Sequence, residues 1–234
     1  LYYAITKLDK VARERLLALT ILIVFTIVFW ALFEQAYTSM NLFADRALDT
    51  RFLGVDWKPN QFLSLNALFI IFLAPVFAWI WVKLGKYNPN TAVKFALALI
   101  FVGLGFGVLV FGISVSEAGK VAAIWLVLTY LLHTMGELCL SPVGLSAVTK
   151  LSPAKIVGFM MGVWFLATAS SEFIAGVLAN IAAIDTNVGE TLALDVAKPA
   201  YLKLFSYLFY TGVGIGVFLL IISPLIKKLM HGVD

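Results

Sequence analysis

Long apolar runs with almost no charge constrain this chain more than any other feature. The stretch "LTILIVFTIVFWALF" (residues 19–33) carries no ionisable group and lacks the strict alternation of a β-strand in lipid. A backbone in lipid must satisfy its own hydrogen bonds, so such runs span as helices. Composition agrees: 62% of residues are hydrophobic and 13% charged, against roughly 45–50% and 25% in soluble domains. The 234 residues have room for about six spans of about 20–25 residues.

Turn-forming residues divide the chain into six expected helices, at about 15–44, 61–82, 91–113, 120–148, 156–184 and 200–226. The links are "DRALDTRFLGVDWKPN", "KLGKYNPN", "SVSEAG", "TKLSPAK" and "IDTNVGETLALDVAKP". Basic residues favour one side: Lys7, Lys10, Arg13, Arg15, Lys83, Lys86, Lys94, Lys150, Lys155, Lys227 and Lys228. The other side holds Arg46, Arg51, Lys58, Lys120, Lys198 and Lys203. The richer side is expected to be cytoplasmic, with both ends of the chain. The net charge of +4 forms no basic stripe that would suit nucleic acid. The single Cys139 excludes an internal disulfide and a cysteine metal motif. No phosphate loop or dinucleotide fingerprint occurs, and two histidines do not assemble a hydrolytic triad.

Charge inside the spans is sparse. Glu34, Glu137 and Glu172 are the deep acids, in the first, fourth and fifth spans. The third and sixth carry glycine at four-residue spacing, Gly103 and Gly107, Gly212 and Gly216, which suits close helix packing. The first and fourth spans are both long, both bear a central glutamate, and cross in opposite directions. That order matches a 3+3 inverted repeat, one six-helix half of a major facilitator fold.

A carboxylate at mid-bilayer costs about 2.5–3.5 kcal/mol on insertion scales and calls for a partner or water. Glu137 and Ser141 share a helix face, and Pro142 beside them removes an N–H, which predicts an opened helix lining a cavity. With no lysine or arginine at similar depth, the partner of Glu137 is expected from outside the chain. Glu34, Thr38 and Asn41 are read as one polar stripe with Tyr37 beside it, suited either to a hydrated path or to interhelical bonding. Asn66 alone reads as interhelical glue, Trp164 and Phe165 as packing or lipid contacts, and His133 as a packed imidazole. The role of Glu172 is open.

Four segments carry a resemblance: "FEQAYTSMNLFADR", "QFLSLNALFI", "GELCLSPVGLSAVTKLSP" and "GVWFLATASSEFIAG". They resemble the proton-dependent oligopeptide transporter (POT or PTR) family, in its C-terminal half, helices seven to twelve, across nearly the whole chain. The resemblance implies a proton-coupled symporter of di- and tripeptides in the plasma membrane, a bacterial one given the short "SVSEAG" turn, with no cofactor beyond the coupling proton. It implies that Glu137 binds the peptide amino terminus and pairs with a lysine of the other half, with Ser141 as a neighbouring pocket hydroxyl. Asn66 would hold peptide backbone, Trp164 and Phe165 would line the side-chain pocket, and Glu34 would pair with a first-helix arginine. The family's ExxER motif and N-terminal six helices are not in this sequence, so the N-terminal six-helix half of the same transporter is the expected partner, with the bilayer. A carrier of nitrate or another small solute on the same scaffold, a membrane-embedded enzyme and an assembly subunit are the competing readings.

Orientation is open to a direct check. In a Cys139→Ala background, Lys58→Cys is expected to react with an impermeant maleimide added outside intact cells, while Lys10→Cys and Lys228→Cys stay unlabelled. Labelling of the two end positions from outside would reverse the assignment.

Overall fold

A computed structural model describes residues 8–116, 119–181 and 194–233. Among these, six helical segments are long and apolar enough to cross a membrane. The first is in two pieces, α1 (Lys10–Phe33) and α2 (Ser39–Ala47), joined by a 3-10 turn at Glu34–Ala36. The others are α3 (Ser64–Leu84), α4 (Thr91–Val115), α5 (Ala123–Leu151), α6 (Val157–Ile181) and α7 (Leu194–Leu229). Capping sets two starts: Asp9 accepts from Ala12 N at 2.9 Å and Asn90 from Val93 N at 3.1 Å.

The expected spans agree with these helices to within a turn or two, and two local expectations are corrected. Glu34, Thr38 and Asn41 do not form one continuous helical stripe. The helix tightens at Glu34–Ala36 and Thr38 leaves helical geometry (φ −115°, ψ −96°). Nor does the chain break at Pro142: α5 runs through it to Leu151, and the helix stays continuous although one backbone donor is missing. The last helix starts six residues before its expected position. Residues 182–184 of the expected fifth span, Lys7, and most of the fifth link lie outside the described residues.

The loop after α2 holds short ladders. Strand β1 (Leu48–Asp49) pairs in parallel with β4 (Val121–Ala122), which leads into α5. Strands β2 (Arg51–Phe52) and β3 (Val55–Asp56) form a hairpin. Its turn takes positive φ at Leu53 (54°) and Gly54 (78°).

The core lies among α1, α4, α5 and α7, with α3 flanking α5 and α6 flanking α1. Glycine lets α4 and α7 cross closely. A Cβ on Gly212 would meet Gly103 Cα at 2.7 Å, and one on Gly216 would meet Ile100 Cγ1 at 2.7 Å. The four-residue glycine spacing therefore serves packing within the chain. By contrast α3 buries only Leu65 and Phe77. Arg15 Nε donates to the Met230 carbonyl at 3.3 Å and His231 Nε2 lies 2.5 Å from Glu14 Oε2, so the start of α1 meets the end of α7.

Gly212→Leu is expected to destabilise the bundle by about 1–3 kcal/mol through overpacking, read as a lowered melting temperature in detergent. Gly214→Ala, with open space at its Cβ position, is the control and is expected to melt like the parent.

Candidate functional site

The polar centre of the bundle is built on α3 and α5. Asn66 Nδ2 donates to Glu137 Oε2 at 2.8 Å and to Thr134 Oγ1 at 3.1 Å. Thr134 Oγ1 in turn donates to the Tyr130 carbonyl at 2.8 Å. Thr134 is fully buried, while Asn66 and Glu137 are half-buried. Glu137 sits 14 residues from either end of the 29-residue α5, about 21 Å along the axis, so it is a mid-membrane carboxylate. The structure thus supplies a donor to Glu137 from within this chain.

Glu137 and Ser141 line a cavity of about 670 Å³ between α3 and α5. Its α3 wall includes Phe77 and Trp81, and Lys94 from the first turn of α4 faces it. The Lys94 ammonium stands over the Trp81 ring, 4.6 Å from its centroid, which favours a cation in an apolar setting. An apolar cleft with a few convergent polar groups is what a small-solute site requires.

A second polar group lies where α1 breaks. Gln35 is fully buried and saturated: its Nε2 donates to the Ala31 and Ala175 carbonyls, both at 3.2 Å, and its Oε1 accepts from Ser39 Oγ at 2.7 Å. The Ala175 bond ties the break to α6. Glu34 precedes it, half-buried, within electrostatic reach of Glu172 on α6 and Glu137 on α5. Tyr37 is exposed, and Asn41 Oδ1 is buried without a hydrogen-bond partner.

The aromatic pair on α6 divides. Trp164 is 4% exposed, edge-on to Phe95 at 6.4 Å. It also fills the space beside Gly144, where a Cβ would collide with its ring. Phe165 is 61% exposed. Neither lines the cavity beside Glu137. His133 packs between Phe33 and Phe106 with Nε2 3.1 Å from the Val102 carbonyl, the role read from the sequence. No cluster of metal-ligating side chains occurs among the described residues.

Sequence reasoning missed Gln35 and Thr134. A lone amide in an apolar run was a usable signal for Gln35. Thr134 had none, because nothing local separates it from Thr26 and Thr168, which bond back to their own helices, or from Thr129, which also reaches the Gly105 carbonyl of α4.

The sequence pattern of the POT family matches residues 2–194. The chain belongs to the POT family. It is 38% identical to the uncharacterized transporter YclF of Bacillus subtilis over 227 residues, covering 97% of this chain and 43% of that protein. It is 40% identical to the peptide transporter YePEPT of Yersinia enterocolitica over 181 residues, 75% of this chain and 35% of that protein. A crystal structure of a peptide transporter POT in complex with alafosfalin superposes with a TM-score of 0.84 at 40% identity, covering 97% of this chain and 44% of that one. This POT chain therefore spans less than half the length of the relatives it matches, and its bundle has the helical membrane fold of a POT peptide transporter.

The two aromatics are separable by experiment. Trp164→Ala is expected to cost about 3–5 kcal/mol of stability. Phe165→Ala is expected to stay within about 0.5 kcal/mol of the parent, so any loss of ligand binding in it reports contact. Thermal melts in detergent measure both.

Proposed function

We propose that this chain is the C-terminal six-helix part of a proton-coupled symporter of di- and tripeptides, working with an N-terminal six-helix half in a bacterial plasma membrane. Both ends of the segment face the cytoplasm in this reading, the proton is the coupling ion, and no cofactor takes part. One observation carries it: in a POT family chain, a mid-membrane carboxylate, Glu137, is held by an amide, Asn66, at the edge of an apolar cavity.

The physical roles follow from that pair. Glu137 keeps one oxygen for the substrate ammonium, and in a low-dielectric cleft the attraction is several-fold larger than in water. Asn66 offers its carbonyl oxygen to peptide N–H groups, and Ser141 lies one turn along the same cavity wall. Phe165 presents an exposed ring to peptide side chains, and Trp164 shapes that wall from behind. Glu34 and Glu137 pair with cations of the N-terminal half. Protonation of either acid weakens such a pair and biases the exchange between outward and inward states. The names of relatives such as the dipeptide and tripeptide permease A of Cronobacter turicensis, 37% identical over 220 residues, support a short-peptide substrate.

Glu137→Gln in the full transporter is expected to lower proton-driven dipeptide uptake into proteoliposomes at least ten-fold, with the protein still folded. Uptake at the parent rate rejects the role given to Glu137. Competition by nitrate and not by dipeptides rejects the substrate class.

A further inference from the structure

The Asn66–Glu137 contact depends on a third residue. Thr134 lies one turn before Glu137 on the same face of α5 and is fully buried. A hydroxyl has one proton, and that of Thr134 goes to the Tyr130 carbonyl at 2.8 Å. Its oxygen is then free only to accept, and it accepts from Asn66 Nδ2 at 3.1 Å. The second N–H of the same amide goes to Glu137 Oε2. The reversed amide would set Oδ1 against a carboxylate and against a hydroxyl whose proton is already engaged. Two bonds would be lost and two acceptors forced together. Thr26 and Thr168 make the same intrahelical bond as Thr134, but Thr134 adds the interhelical one.

We propose that Thr134 is a positioning residue: it fixes Asn66 with both amide N–H groups toward α5, leaving Asn66 Oδ1 and Glu137 Oε1 as acceptors for the N–H groups of an amine-bearing solute. The inference rests on the proposed function for the identity of the solute, and on the hydrogen-bond geometry alone for the role of Thr134. Because an acceptor pair cannot satisfy a second carboxylate, the arrangement selects for amines and amides and against anionic groups at this end of the cavity.

The test uses the full transporter in proteoliposomes. Thr134→Val keeps the branched shape and removes the hydroxyl. It is expected to raise the KM for a dipeptide about five- to ten-fold with Vmax within about two-fold, and Thr134→Ser to restore the parent KM. In an Asn66→Ala background, Thr134→Val is expected to add nothing, because the two act through one another. A parent KM in Thr134→Val, or effects that multiply with Asn66→Ala, overturns the proposal. A second measurement needs no substrate: carbodiimide modification of Glu137, mapped by mass spectrometry. Thr134→Val and Asn66→Ala are expected to accelerate it equally, and an unchanged rate in Thr134→Val overturns the proposal. Should the parent protein take up no dipeptide, the proposed function falls, and the modification rates still decide the role of Thr134.

Discussion

The hydrogen bond from Asn66 to Glu137 is the contact on which the arrangement of the site depends. Lipid offers neither group a partner, so each is driven to find one inside the bundle. Helix α3 buries few apolar residues, and in a membrane apolar side chains gain little by leaving lipid for protein. The polar contact of Asn66 with α5, backed by Thr134, is therefore a large part of what fixes where α3 stands. The cavity depends on that placement, because α3 and α5 supply most of its walls, with the start of α4 and the residues just after α7 closing the rest.

The rest of the bundle divides between tight and polar packing. Helices α4 and α7 meet through glycines, with backbone against backbone, and dispersion holds them at short range. The α1–α6 contact is different: Gln35 reaches the Ala175 carbonyl across the gap while Ser39 and Ala31 complete its bonds. Such a saturated amide stabilises the irregular backbone between α1 and α2, which lipid-facing structure would not tolerate. Glu34 enters the site from that irregular turn, and its position depends on the turn's shape.

Much of this was legible in residues 1–234. Apolar run lengths gave the six spans, and glycine spacing gave the close packing of the third and sixth. The cost of a buried charge singled out Glu137, and the family resemblance marked Asn66 as a second polar residue of interest, though not the contact between the two. Other features were not legible. Pro142 suggested a break because proline removes a backbone donor and crowds the preceding turn, yet α5 continues through it to Leu151. The 34–41 stripe assumed a helical period that the 3-10 turn ends. Trp164 and Phe165 are adjacent in sequence, but adjacent residues on a helix point about 100° apart. One is buried against Gly144 and the other is exposed.

Sequence alone determined the solvent this protein lives in, the six apolar spans found among the described residues and the types of polar group it carries to mid-membrane. Those follow from transfer free energies and helix periodicity, which are local properties of the chain. Tertiary structure decided which of those groups meet: Asn66 with Glu137 and Thr134 across 71 and 68 residues of sequence, and Gln35 with Ala175 across 140. A hydrogen bond is directional and reaches only about 3 Å, so its partner is set by how whole helices pack, and no local reading of the chain contains that distance.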